Sequence, residues 1–243
     1  PSPYGIKIIS LYKLPLMPTR GEVKPMHKVV SVDMERDILE ANRRLAEENS
    51  KILKEHGVAS YDFLGSIGSG KTLLIQRIIE RLKEKGVRPG VIAGDVSGND
   101  DYLRFISMGV PAVNINTGKE CHLDAHLLDH ALEELPLDDI DVLFVENVGN
   151  LVCPADFPLG TDMRVVVISV TEGDDMARKH PLIFREASVA VINKIDLAEV
   201  MEVDPRTIER DILRIKPSIK CIRTDAKHVQ GVDQLMGALG LEP

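Results

Sequence analysis

The sequence predicts an α/β fold, a mostly parallel β-sheet with helices on both faces, and three observations carry that expectation. Seven short, mainly apolar runs recur at 59–64, 90–94, 112–115, 140–145, 165–170, 189–192 and 219–223. Helical stretches separate most of them, as parallel strands require, because each crossover must carry the chain back to the same end of the sheet. A glycine-rich segment follows the first run directly, where open sheets of this kind place ligands.

Composition narrows the class. The chain has 243 residues, 44% hydrophobic and 28% charged, enough for one sizeable core with an extension. A formal net charge of -8 argues against a nucleic-acid partner held on a broad basic face. No apolar run reaches the 18 or more residues of a membrane span. Three cysteines, Cys121, Cys153 and Cys221, are an odd number in a chain too large to need disulfides, which favours a reducing compartment and a cytoplasmic location.

In chain order, residues 1–25 carry four basic residues, one acid and five prolines without periodicity, and are read as an arm outside the fold. Residues 26–57 are expected to form an amphipathic leader helix. Asp33 would cap it and Gly57 end it, with Ile38, Leu45, Ile52 and Leu53 as its apolar stripe. Residues 58–243 are expected to form the nucleotide-binding domain.

The segment Gly65-Ser66-Ile67-Gly68-Ser69-Gly70-Lys71-Thr72 ends the first strand and enters a helix predicted over Leu73–Lys85, which is the pattern and the context of a phosphate-binding P-loop. Backbone amides and the helix N-terminus favour phosphates, Lys71 reaches their oxygens, and Thr72 can ligate Mg²⁺. Asn193-Lys194-Ile195-Asp196 follows the run 189–192, and an Asp carboxylate there can accept both guanine donors, N1 and N2, which adenine cannot match. Thr224-Asp225-Ala226 after the last strand is a candidate for the remaining base contact. Glu146 and Gly149 follow the run ending at Val145, where P-loop proteins hold Mg²⁺ through an acid and sense the γ-phosphate with a glycine. Asp95 is a second candidate for the cation shell, or else a cap of the next helix. Asn150 stands where Ras-like GTPases carry a glutamine, so unaided hydrolysis is expected to be slow, and no residue stands out as general base.

A second group has different chemistry. Residues 118–135 are expected to be helical, which would set His122, His126 and His130 on one face beside Cys121. Cys153 lies four residues beyond Gly149. Thiolate and imidazole suit Zn²⁺ or Ni²⁺, although such spacing on its own fits an inert buried cysteine equally well.

From about Met26 onward the chain resembles the HypB family of GTPases, which help deliver nickel to [NiFe] hydrogenase. The resemblance rests on Gly65 to Thr72, on Asn116-Thr117-Gly118-Lys119-Glu120-Cys121-His122-Leu123-Asp124-Ala125-His126, on Glu146 through Phe157, and on Asn193 to Asp196. It implies a P-loop NTPase of the SIMIBI type that binds GTP or GDP with Mg²⁺ and forms a nucleotide-dependent homodimer. Its Ni²⁺ or Zn²⁺ ligands would be Cys121, His122 and Cys153, with His126 an additional ligand in some members. A HypA-type nickel chaperone and a hydrogenase large-subunit precursor are the implied partners. Cys153-Pro154-Ala155 departs from the Cys-Pro-His of the urease branch, and neither an N-terminal cysteine motif nor a histidine-rich stretch is present, so one metal site is expected. A metabolic P-loop kinase and a GTPase guarding a cobalamin-dependent mutase are the rival readings. Asn193 to Asp196 opposes the first, and the cysteine–histidine group has no role in the second.

Overall fold

The computed structural model describes residues 26–241; the expected arm at 1–25 lies outside the described residues. Each apolar run becomes a strand: β1 Ala59–Gly65, β2 Pro89–Asp95, β3 Ala112–Asn116, β4 Val142–Glu146, β5 Met163–Ser169, β6 Val189–Asn193 and β7 Lys220–Arg223. All pair in parallel, in the order β3-β2-β4-β1-β5-β6-β7. Order reverses around β1, so the carboxyl ends of β1, β4 and β5 open onto the crevice where such sheets bind ligands.

The central strands are buried on both faces, which is why they read as continuous apolar runs instead of alternating ones. Alternate residues still divide between two layers. Tyr61, Phe63, Val91 and Phe144 pack on one face against α2 (Lys71–Glu84), α3 (Asp100–Ser107) and α8 (Val232–Leu239). On the other face Ile92, Leu143 and Val145 meet α1 (Met26–Glu55) and α4 (Ala125–Glu134). Val166, Ile168 and Ile192 meet α5 (Met176–Lys179), α6 (Pro181–Glu186) and α7 (Pro205–Ile215) there.

Two sequence expectations need correction. The first helix is already under way at Met26, so Asp33 lies inside it and does not cap it, although Gly57, at φ 68, does follow its end. Residues 118–124 are not helical. Asp124 caps α4 by accepting from the Leu127 amide at 2.8 Å, and the Leu123 amide is drawn away to Asn147 Oδ1 at 3.0 Å. Side-chain acceptors at both positions outcompete the helical pattern, so His122 precedes the helix and only His126 and His130 share its face.

The leader helix is fastened by two asparagines seven residues apart. Asn42 accepts from the Ala125 amide at 2.8 Å and donates to the Pro158 carbonyl at 2.9 Å. Asn49, fully buried, donates to the carbonyls of Ala125 and Leu159 at 2.8 and 3.1 Å. The helix thereby fixes the start of α4 and the 158–159 segment together. Replacing Asn49 with Ala removes both buried hydrogen bonds, to the Ala125 and Leu159 carbonyls, and is expected to destabilise the fold by about 2–3 kcal/mol, whereas Ile38→Ala, at a position 56% exposed, should change stability by less than about 0.5 kcal/mol. Urea unfolding of the two variants checks the contrast.

Candidate functional site

The P-loop leaves β1 at Gly65 and closes onto α2, whose first residue is Lys71. Gly70 adopts φ 102, and a Cβ there would come within 2.3 Å of Asn193 Nδ2, so the loop tolerates only glycine at this point. The Lys71 ammonium is buried and donates to the carbonyls of Gly65 and Ser66, both at 3.2 Å. Burial lowers its pKa, and Glu146 is the strongest opposing charge. An anion at this point would relieve that cost of desolvation. Ser66 hydrogen-bonds Glu172, which also accepts from the Ser169 amide at 3.0 Å and so anchors the loop to the end of β5. A cleft of about 420 Å³ lies over the loop, lined by Ile67, Gly68, Lys71, Thr72, Glu146 and Gly149 among others.

Thr72 Oγ1 donates to Glu146 Oε1 at 2.8 Å, while Glu146 Oε2 is buried without any partner. Burial pushes the Glu146 carboxyl up to about 7, against the pull of Lys71. An orphaned buried carboxylate oxygen beside a threonine hydroxyl fits a hard, oxygen-seeking cation such as Mg²⁺, with Thr72 and Glu146 as the residues to hold it directly or through water. Asp95 lines the same cleft, but its carboxylate accepts from the adjacent Val96 amide at 2.6 Å, and Asn99 holds the N-cap position of α3. Asp101 and Arg104 of α3 also line the cleft. The sequence reading missed both, and missed Glu172. The i, i+3 spacing that sets Asp101 and Arg104 on one helix face was visible, but nothing local told which face.

Asn193 is the hub of the base corner. Its Nδ2 donates to the Ser69 carbonyl at 2.9 Å, and its Oδ1 accepts from Thr224 Oγ1 at 2.9 Å and the Ala226 amide at 3.3 Å. Lys194, at φ 59, reaches back to the Gly68 carbonyl at 2.6 Å. Asp196 is exposed on the turn that follows. Thr224 and Asp225 are buried, and their side chains are committed to building the loop.

Cys121, His122 and Cys153 converge: their ligand atoms lie within 4.8 Å of one another, with 2.9 Å between the two Sγ atoms and 3.8 Å from Cys121 Sγ to His122 Nδ1. The His122 ring packs on Phe157 with centroids 4.1 Å apart. Burial lowers its pKa and so favours the neutral imidazole that ligates metals. The Cys121 thiol is raised chiefly by the hydrogen it shares with Cys153, a proton that a bound cation would displace. His126 stands apart, its ring against His130 at 4.5 Å.

Between the two centres runs the segment 146–150. Gly149 lies against the P-loop so closely that a Cβ would come within 2.3 Å of Ile67 Cγ1. Asn147 accepts from the Leu123 amide and donates to Asp62 Oδ1 at 3.1 Å. Asn150 forms an antiparallel bridge with Gly65, and its Nδ2 donates to the Cys121 carbonyl at 3.2 Å. One residue thus touches the phosphate loop through its backbone and the metal loop through its side chain.

Known proteins resemble this chain over most of its length. The family model described as CobW/HypB/UreG, nucleotide-binding domain, matches residues 61–223. A HypB hydrogenase maturation factor of Methanocaldococcus jannaschii is 53% identical over 211 residues, covering 87% of this chain and 95% of that protein. The crystal structure of HypB from Archaeoglobus fulgidus is 48% identical with a TM-score of 0.76, covering 82% of this chain and 99% of that one. HypB from Helicobacter pylori, solved in complex with nickel, is 32% identical with a TM-score of 0.78 over 83% and 94% of the respective chains. The chain belongs to the HypB branch of the CobW/HypB/UreG family of nucleotide-binding proteins.

Proposed function

We propose that this protein binds and hydrolyses GTP and uses its nucleotide state to control a Ni²⁺ or Zn²⁺ site, as a metallochaperone that helps insert nickel into [NiFe] hydrogenase. The observation that carries the proposal is Asn150, paired with Gly65 of the phosphate loop and bonded to the Cys121 carbonyl of the metal loop. A γ-phosphate contact that moves Gly149 must act through its neighbour Asn150 on the Cys121 carbonyl, and three residues later on Cys153.

In this reading Lys71 leaves its carbonyl partners to neutralise phosphate charge. Thr72 and Glu146 hold Mg²⁺, which supplies charge stabilisation at the phosphates, with Asp95 in the outer shell. Asp196 accepts from guanine N1 and N2. Cys121, His122 and Cys153 ligate the transported cation, three donors where a closed tetrahedral site takes four. A symmetric partner chain can supply the remainder, which favours a GTP-dependent homodimer. A HypA-type nickel chaperone upstream and a hydrogenase large-subunit precursor downstream complete the proposed route. Slow hydrolysis agrees with Asn150, whose amide is engaged with the metal loop and so is not free to orient water.

Asp196→Asn turns one acceptor into a donor and is expected to weaken GTP binding by about 2–4 kcal/mol while improving relative binding of xanthosine triphosphate. Unchanged GTP affinity would remove Asp196 from the base site. Titrating Ni²⁺ and Zn²⁺ into protein held with GDP or with a non-hydrolysable GTP analogue should give affinities differing by about 5–150-fold, a difference that Cys153→Ala abolishes while GTP still binds. Equal affinities in the two states would sink the switch. Light scattering should show a shift from monomer to dimer with the GTP analogue and Mg²⁺, and equal mass in all nucleotide states would contradict it.

A further inference from the structure

A second group of potential ligands converges on the opposite side of the P-loop. Asp196, Asp225 and His228 present ligand atoms within 4.8 Å of one another. We infer that they form a second metal site, for a borderline transition cation such as Zn²⁺ or Ni²⁺, and that a cation bound there competes with the guanine base for Asp196. The competition rests on the reading that Asp196 selects guanine; the site does not.

Backbone structure fixes the juxtaposition. Asp196 lies on the turn after β6 and Asp225 on the loop after β7, and the Ile195 amide donates to the Thr224 carbonyl at 3.2 Å, holding the two loops together. Asp225 is 3% exposed and closes its own turn, accepting from the amides of Lys227 and His228 at 3.0 and 3.2 Å and pairing with Gln230 as an antiparallel bridge. The turn also holds Val229 at φ 62, a conformation that β-branched residues avoid. That strain is borne in a turn that presents His228.

The same Asp225 carboxylate pairs with His228 Nδ1. A bound cation would take the place of the proton between Nδ1 and the carboxylate, and the side chain, 60% exposed, is open to solvent.

One imidazole with carboxylates suits Zn²⁺ or Ni²⁺ better than Mg²⁺ or Ca²⁺. Two nearby cationic side chains are engaged elsewhere: Lys194 with the Gly68 carbonyl at 2.6 Å, and Arg77 with the Ala226 carbonyl at 3.2 Å and Glu80 at 2.9 Å. A dication on Asp196 would set positive charge against the guanine N1 and N2 hydrogens. Free metal would then hold the protein away from GTP by a route separate from the thiolates.

The test uses the full chain carrying Cys121→Ser and Cys153→Ser, which removes the thiolate ligands. Calorimetric titration with Zn²⁺ should show one residual bound ion, weakened at least about tenfold by His228→Gln or by Asp196→Asn, an exposed position that leaves folding intact. GDP affinity of the His228→Gln protein, within about threefold of its parent, controls for folding. Saturating GDP with Mg²⁺ should weaken Zn²⁺ binding by about tenfold or more in the parent, and the His228→Gln protein reads out any Zn²⁺ taken up by the nucleotide itself. No residual ion, or one indifferent to both substitutions, overturns the site. An ion held through His228 yet unaffected by GDP overturns the competition. If Asp196→Asn then leaves GDP affinity unchanged, the fault lies in placing guanine at Asp196 and the metal site stands.

Discussion

Two asparagine side chains, Asn147 and Asn150, hold the metal loop to the end of β4, and the arrangement of both centres depends on them. Without Asn147 Oδ1 the Leu123 amide would be free to join the helix that the sequence pattern favours, and Cys121 and His122 would wind onto α4. Asn150 completes the attachment at the Cys121 carbonyl while its backbone pairs with Gly65. Both bonds are short-range and directional, so a displacement of the segment by a few tenths of an ångström must be shared with the cysteines or break a hydrogen bond. The two sites are therefore joined through where a few amides donate.

Electrostatics prepares the cleft for a charged guest. Lys71 and Glu146 are both nearly buried, and each is driven toward its neutral form by desolvation. One oxygen of Glu146 and the hydroxyl of Ser69 have no partner at all. A folded protein keeps such groups dry and unpaired only at a cost in stability, one that a bound phosphate and cation would offset. The cysteine pair is similar: two thiols share a hydrogen that a bound metal would replace.

The base corner works differently. Asn193 spends its side chain on the P-loop and on the β7 loop, and Thr224 and Asp225 spend theirs on the loop itself. What remains exposed is Asp196, beside His228. Asn193, Thr224 and Asp225 thus build the loops that carry Asp196.

The sequence by itself determined the strands and the P-loop, and marked Cys121, His122 and Cys153 as candidate ligands. Runs such as Val189–Ile192 are apolar because both faces of a parallel strand are covered, and glycine at 70 is demanded by a backbone that no side chain can enter. Such signals are local and survive in one dimension. Only the tertiary structure decided that Leu123 leaves the helix, that His122 joins the cysteines while His126 turns to His130, that Asp101 and Arg104 line the cleft over the P-loop, and that Glu172 holds Ser66. Each of those outcomes rests on an acceptor, a ring or a helix face brought from a distant part of the chain. The spacing of residues along a segment fixes which side chains share a face, but the partner that a face meets is fixed by how the segments pack.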